Sequence, residues 1–150
     1  MVQFRRAQKE DLVALSRIRA AEWETEAYWR DRISGYLEGT SNPQQALEPR
    51  ALFVAIDGET VVGFVAGHCT RRFGCTGELE WIDVAAPHRG KGVGSALLRV
   101  MAAWFVEQSA THVCVDPANA AARGFYALNG ASELNAHWMV WLDIGVLPGE

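Results

Sequence analysis

The stretch from Glu78 to Val106 constrains the fold most, because a strand-like segment, a glycine-rich turn and an apolar helical pattern follow one another there. The turn carries three alternating glycines, Gly90, Gly92 and Gly94. Without Cβ atoms, these residues let an anion approach the backbone closely. The N–H groups that open a helix lack intrahelical partners, and the helix dipole favours negative charge there. Together with the neighbouring Arg89 and Lys91, the turn predicts a cradle for a pyrophosphate.

This turn differs from the two familiar nucleotide-binding turns. The dinucleotide fingerprint G-x-G-x-x-G needs a third glycine where this chain has Ser95. The Walker pattern G-x-x-x-x-G-K-[S/T] does not occur in the sequence. The turn therefore predicts an anion site of another class.

Composition favours one globular domain over residues 1–150. A chain of 16.5 kDa with 49% hydrophobic and 21% charged residues is long and apolar enough to bury a core. The net charge of −4 supplies no broad basic face, so we expect no nucleic-acid partner. It leaves room for a cationic substrate.

Cysteine spacing and hydropathy exclude further classes. The three cysteines form no C-x-x-C pair, which disfavours a metal knuckle or a disulfide framework. His68, His112 and His137 are predicted to lie in strands without metal-ligand spacing, so no metal site is expected. No segment approaches the roughly 20 apolar residues of a membrane span, and the N-terminus lacks a signal-like apolar core. We therefore expect a soluble, cytoplasmic protein that does not bind membranes.

Periodicity and turn residues predict the elements in order. Asp57-Gly58 is a strong hairpin signal, Gly39–Pro49 has loop composition, and Gly63 and Gly67 predict a bulge or a close backbone approach. Predicted strands are 2–6, 51–56, 60–68, 78–84, 112–115, 133–134 and 136–144; predicted helices are about 12–22, 27–37, 95–108 and 120–128.

The order β-α-α-β-β-β-α-β-α-β-β predicts a mixed α/β fold. Its central sheet should be mostly antiparallel and flanked by helices, because hairpins join the middle strands. The helix after the glycine turn forms the one clear parallel crossover.

A second segment accompanies the glycine turn. It runs from Asn119 to Gly130 and reads NAAARGFYALNG. It is similar to N-x-x-A-x-x-F-Y-x-x-x-G, and the turn from Arg89 to Gly94 is similar to R/Q-x-x-G-x-G/A. Both patterns belong to the GNAT superfamily of N-acetyltransferases, whose element order the chain also resembles. The resemblance implies an acyl-CoA-dependent N-acyltransferase with acetyl-CoA as donor.

The resemblance also implies which residues bind the cofactor. The pyrophosphate would lie on backbone N–H groups of Arg89, Gly90, Lys91, Gly92, Val93, Gly94 and Ser95, with the side chain of Arg89 or Lys91 assisting. Main-chain groups of Ile82, Asp83 and Val84 would pair with the pantetheine arm, on a strand that usually carries a bulge in this family. An N–H near Val84 would polarise the thioester carbonyl. Asn119 would bind the pantetheine or fix the second loop, and Arg123 is a possible contact to the phosphates.

Two residues are the catalytic candidates. Tyr126 occupies the position of the family's general acid, where a phenol can protonate the departing thiolate of CoA. Its alternative role is that of a tyrosine packed in the core. Glu80 is the first choice for the base, on the same face of its strand as Ile82 and opposite Asp83. The alternative is an orienting or salt-bridging carboxylate. Glu78 and Asp83 are weaker candidates.

An acidic and aromatic patch between the first two helices is the candidate acceptor site. Glu22, Trp23, Glu26 and Trp29 carry it, since carboxylates and aromatic faces suit an ammonium group. A solvated helix face is the alternative. Trp104-Phe105 and Trp138/Trp141 are predicted to be core or the surface of a possible homodimer.

The resulting hypothesis is direct transfer of an acetyl group to an amine in a ternary complex. No cysteine lies in either motif, which disfavours a covalent acyl-enzyme, although Cys114 lies near the predicted opening of the sheet. A small primary amine is the leading acceptor class. A peptide or protein amine and a non-catalytic acyl-CoA-binding module remain the alternatives.

Overall fold

The structure is a computed structural model that describes residues 1–148. Its elements follow the predicted order: β1 (Val2–Arg6), α1 (Leu12–Ala20), α2 (Glu26–Glu38), β2 (Ala46–Asp57), β3 (Thr60–Thr70), β4 (Gly77–Val84), α3 (Val93–Glu107), β5 (Val113–Val115), α4 (Ala120–Leu128), β6 (Ser132–Glu133) and β7 (Met139–Trp141). Short 3-10 turns precede α1 and follow β3 and β4. Within the described residues, no helix is both long and apolar enough to span a membrane.

One seven-stranded sheet in the order β1-β2-β3-β4-β5-β7-β6 organises the molecule. Among the strands of residues 1–148, only β4 and β5 pair in parallel, and α3 provides their crossover. The predicted mixed sheet is thus confirmed. The core has two main parts, one between the sheet and α3 and one between the opposite face and α1 with α2.

The apolar spacing of α3 explains its packing. Leu97, Leu98, Met101, Trp104 and Phe105 lie on one face and are buried. The sheet has no side chain at Gly67, where α3 packs closest. A Cβ on Gly67 would lie 2.8 Å from the Phe105 ring. The close backbone approach predicted for this glycine is therefore present. Trp104 and Phe105 are core residues, as is Trp141.

Two strands differ most from their predicted boundaries. β2 begins at Ala46, inside the predicted loop, and Pro49 lies at an irregularity of the ladder where no strand N–H is required. The last strand covers only Met139–Trp141. It starts late because the Asn135 side chain accepts hydrogen bonds from the N–H groups of His137 and Trp138, which form a turn. His137 therefore lies outside the strands.

A bulge in β4 positions the functional site. Ala66 pairs with Trp81 and Gly67 pairs with Leu79, so Glu80 is the extra residue. The β4–β5 ladder stops at Leu79 and Val115, while β4 continues to Val84. The outer edge of β4 beyond Leu79 is therefore open, and the two strands enclose a gap.

Candidate active site

A cleft of about 500 Å³ lies in this gap. It is bounded by the open end of β4, the glycine turn, the start of α3, the turn after β5 and helix α4. The predicted site residues that line it are Glu22, Trp23, Glu80, Ile82, Asp83, Val84, Arg89, Gly90, Gly92, Val93, Gly94, Ser95, Asn119 and Tyr126. Both motifs and the strand before them thus meet in one place.

The glycine turn has the backbone geometry of an anion cradle. Gly90 and Gly92 have φ values of 75° and 83°, in the left-handed region that favours glycine. α3 begins at Val93, two residues earlier than predicted, and its N-cap Gly92 supplies no side-chain cap. The first intrahelical hydrogen bond of α3 is donated by the N–H of Ala96 to Gly92 O at 3.0 Å. The N–H groups before it lack intrahelical acceptors, so they suit an anion.

The second motif packs directly against the first. A Cβ on Gly94 would lie 3.2 Å from the Phe125 ring, so α3 and α4 approach closely at the cradle. Asn119 caps α4, and its Oδ1 accepts the N–H of Ala122 at 2.8 Å. Because this residue also lines the cleft, its position is fixed by the helix that it starts.

The predicted cationic contacts lie in different places. Lys91 is exposed and does not line the cleft. Arg123 also lies outside the lining and donates to His137 O at 3.3 Å. Arg89 lines the cleft, and its side chain pairs with two carboxylates: its Nη1 lies 2.7 Å from Glu22 and its Nη2 3.5 Å from Asp83.

Both main-chain groups of Val84 have side-chain partners. Its N–H donates to Asp83 Oδ1 at 3.0 Å, and its carbonyl accepts from Arg89 Nε at 2.8 Å. The predicted pairing of pantetheine with this residue therefore requires the two side chains to move. Burial raises the pKa of Asp83, against the opposing effect of Arg19, whose Nη1 lies 3.7 Å away.

The bulge turns Glu80 to an unexpected face. Ile82 packs in the core beside α3, whereas Glu80 and Trp81 both face α1 and α2. Asp83 faces α1 as well, through Arg19. The prediction that Glu80 shares a face with Ile82 and opposes Asp83 was wrong, because one inserted residue breaks the period of two. Burial raises the pKa of Glu80, and the carboxylate lines the cleft.

Behind Glu80 lies a cluster that spacing arguments missed. The cluster consists of His68 of β3, Glu78 and Glu80. Each offers one atom that could bind a metal ion, and these atoms lie within 4.8 Å of one another. His68 is fully buried, and its Nδ1 lies 2.9 Å from the hydroxyl of Tyr36 in α2. Arg72 donates to Glu78 at 3.0 Å and already supplies a positive charge there. These residues are distant in sequence, so only the pairing of β3 with β4 reveals the cluster.

Tyr126 lies on the α4 side of the cleft, in a mostly apolar setting. Its ring packs edge-on against Trp141 with centroids 5.7 Å apart, and it is 6% exposed. Burial raises the pKa of its phenol. The residue therefore both packs in the core and lines the cleft, and it is protonated at neutral pH.

The predicted acceptor patch divides into two parts. Glu22 and Trp23 line the cleft. Trp29 is buried, with its ring edge against Trp81, and donates through Nε1 to Trp23 O at 2.7 Å. Glu26 lies outside the cleft lining and 3.6 Å from Arg17.

The cysteines offer no exposed thiolate. Cys69, Cys75 and Cys114 are all free thiols. Cys114 is fully buried, and burial raises the pKa of its thiol. A neutral, inaccessible thiol is a poor nucleophile.

This fold and cleft define the class of protein. The model of the acetyltransferase (GNAT) family matches residues 13–131, which is most of the chain. The protein belongs to the GNAT acetyltransferase family and is an acyl-CoA-dependent N-acetyltransferase.

Solved structures of low sequence identity share the fold. A GNAT-family protein from Desulfovibrio desulfuricans is 19% identical with a TM-score of 0.74, covering 96% of this chain and 99% of the other. PaiA N-acetyltransferase from Thermoplasma acidophilum, solved with coenzyme A, is 15% identical with a TM-score of 0.70, covering 95% and 99%. Ribosomal-protein-alanine N-acetyltransferase from Brucella melitensis is 21% identical with a TM-score of 0.65, covering 92% and 98%. No curated protein matched the sequence significantly.

Proposed function

We propose that the protein transfers the acetyl group of acetyl-CoA to a small primary amine by direct attack in a ternary complex. The observation that carries this proposal is the single cleft that joins the glycine cradle, the open edge of β4, Glu80 and Tyr126. A site for acyl transfer needs an anion cradle, a thioester position, a base and an acid. All four have candidates within this cleft.

The cradle supports a pyrophosphate by its backbone. The left-handed turns at Gly90 and Gly92 and the uncapped first turn of α3 present N–H groups to one place. The edge of β4 from Ile82 to Val84 suits an extended pantetheine arm, which would pair as another strand does once Asp83 and Arg89 release the main-chain groups of Val84. Asn119 would contact this arm from the opposite side. When bound, acetyl-CoA supplies an acetyl thioester whose carbonyl carbon is open to an amine.

Acyl transfer requires two proton movements that Glu80 and Tyr126 can perform. An alkyl ammonium, with a pKa of about 10, must lose a proton before its nitrogen attacks. Glu80 accepts that proton, because burial raises its pKa and so strengthens it as a base. The N–C bond forms as the C–S bond breaks, and Tyr126 gives its proton to the sulfur. The phenol recovers a proton from the nitrogen that became the amide.

The amine would enter beside the loop between α1 and α2. Glu22 and Trp23 line that side of the cleft and offer a carboxylate and an aromatic ring. An ammonium group interacts favourably with both. A small amine fits a cleft of about 500 Å³ that also holds the arm of the donor.

The test is an assay of CoA release over a panel of amines. The panel contains amino acids, diamines, aminoglycosides and short peptides with free N-termini, each with acetyl-CoA. Turnover with small amines supports the proposal, whereas turnover with peptides alone assigns a peptide or protein acceptor. If acetyl-CoA raises the melting temperature but no amine yields CoA, the protein is a binding module.

A further inference from the structure

Every turnover of the proposed reaction leaves one proton behind. An ammonium and acetyl-CoA yield an amide, the thiol of CoA and one proton. That proton rests on Glu80 after the amine is deprotonated, and the cleft is then filled by both substrates. Glu80 must lose it before the next cycle. A path that avoids the filled cleft would serve this purpose.

His68 lies directly behind Glu80. Its Nδ1 is 4.0 Å from Glu80 Oε1, and its Nε2 is 3.5 Å from Glu78 Oε1. The ring is fully buried, and within residues 1–148 its Nε2 has no hydrogen-bond partner that meets ideal geometry. One imidazole thus joins a carboxylate of the cleft to a second carboxylate outside it.

The surroundings select one tautomer of His68. The Tyr36 hydroxyl lies 2.9 Å from Nδ1. A proton on Nε2 would lie on the side of the ring that faces the Glu78 carboxylate, 3.5 Å away, whereas a bare Nε2 would place its lone pair against the negatively charged oxygens. The favoured arrangement has the Tyr36 hydroxyl donating to Nδ1 and the ring proton on Nε2. Nδ1 is then the nitrogen that can take a proton.

Glu78 differs from Glu80 in its partners. Burial raises the pKa of Glu78, but His68 and Arg72 outweigh it and hold the pKa of this carboxyl below its usual range. Arg72 Nε donates to it at 3.0 Å. Glu78 therefore holds a proton only in passing. Its side chain is 6% exposed and adjoins Arg72, which is 18% exposed.

We propose that His68 is a positioning residue that relays the proton of Glu80 to Glu78 and so out of the back of the active site. The O–H bond of Glu80 breaks as an N–H bond forms at Nδ1, after the Tyr36 hydroxyl turns away. The N–H bond at Nε2 breaks as an O–H bond forms on Glu78. Water takes that proton, and rotation of the ring about its Cβ–Cγ bond turns the remaining N–H toward Glu78 for the next cycle. This relay rests on the proposed function, because it requires Glu80 to act as the base.

Other charged and titratable groups surround the relay and set its pH dependence. Besides the two carboxylates, they are Tyr36 and Arg32 of α2, Arg50 of β2, Cys69 of β3 and Arg72 after β3.

The first test needs no acceptor. Nitrogen-15 spectra of the histidine rings in the wild-type protein at neutral pH report which nitrogen carries the proton. The four histidines are assigned with the substitutions H68Q, H88Q, H112Q and H137Q, and the three positions other than the buried His68 suffice by elimination if H68Q does not fold. A proton on Nε2 with a bare Nδ1 supports the relay. A proton on Nδ1 overturns it.

The second test separates chemistry from proton exit. With an amine that turns over, His68→Gln and Glu78→Gln should keep the single-turnover rate of CoA formation but lower kcat about 100-fold, at the lower end of the range of proton-transfer steps. A pH-indicator dye should show proton release lagging behind CoA formation in both variants. His112→Gln, outside the cleft, is the matched control and should resemble the wild type.

The outcomes distinguish this inference from the proposed function. Coincident release of proton and CoA in both variants, with normal kcat, overturns the relay. Equal slowing of single-turnover chemistry and kcat also overturns it, since that indicates a structural role. If Glu80→Gln keeps full activity, or if no amine is a substrate, the proposed function fails. If Glu80→Gln lowers kcat while His68→Gln and Glu78→Gln keep the kcat of the wild type, only the relay fails.

Discussion

The two ends of the cleft are built in different ways. The proposed cofactor end is one continuous stretch, from the turn at Gly90 to the first turn of α3, and it presents backbone N–H groups. The proposed acceptor end combines side chains from separate elements, with Glu22 after α1, Asp83 on β4 and Arg89 in the turn. The first depends on local conformation, the second on how distant segments pack.

This difference has a chemical counterpart. A cradle of N–H groups binds a phosphate whatever the neighbouring side chains are, so it suits a donor shared by a whole family. The acceptor end consists of ionised side chains that pair with one another, and replacing one of them changes what the site accepts. Changes at the cofactor end should thus alter acetyl-CoA affinity, and changes at the acceptor end should alter the KM of the amine. Substitutions at the reaction centre and at each end of the cleft would test this division.

The largest effect is expected for Glu80→Gln. Removing the base should lower kcat about 100-fold or more while leaving acetyl-CoA affinity unchanged. In the wild type, the rate should fall as pH decreases through the pKa of Glu80, because only the ionised carboxylate accepts a proton. Burial raises that pKa, so the fall should occur above the ordinary range of glutamate. A pH–rate profile that is the same in both proteins would contradict the assignment.

Tyr126→Phe should lower kcat by about tenfold or more through loss of the acid. Affinity for acetyl-CoA should remain, because the ring keeps its packing against Trp141. Tyr28→Phe is the matched control, since Tyr28 is exposed and does not line the cleft. Steady-state kinetics and calorimetry check both parts. A loss of affinity with normal kcat would make Tyr126 a binding residue instead.

Gly92→Ala tests the cofactor end. Ala at a φ of 83° costs about 1 kcal/mol and distorts the N-terminus of α3, so acetyl-CoA affinity should fall about tenfold. Gly58→Ala provides the control at a φ of 65° in the hairpin between β2 and β3, away from the cleft. The two variants should lose similar stability in denaturant unfolding, but only the first should bind the cofactor weakly. Equal binding would refute the cradle.

Glu22→Gln tests the acceptor end and should have the smallest effect. Glu22 is 39% exposed, and a partly exposed charge contributes about 1 kcal/mol or less. The KM of a cationic amine should rise about two- to fivefold, with acetyl-CoA affinity retained. Glu26→Gln is the control, because Glu26 lies outside the cleft lining. If acetyl-CoA affinity falls as well, the two ends are not independent.

Local features of the site could be predicted from the sequence. The glycine turn, the start of α4 at Asn119 and the hairpin at Asp57-Gly58 each depend on residues adjacent in the chain. The face of Glu80 could not be predicted, because a single bulge residue turns every later side chain over. The ion pair between Arg89 and Glu22 could not be predicted either, because the two residues lie far apart in sequence.

The sequence by itself determined the order of elements, the glycine turn that opens α3 and the family, because backbone conformation and motif spacing are local properties. Tertiary structure alone decided which carboxylate reaches the cleft and which lies behind it. The pairing of β3 with β4 places His68 between Glu78 and Glu80, and the packing of α2 adds Tyr36. Such contacts join residues that no periodic pattern relates, so they exist only once the sheet and its helices are assembled.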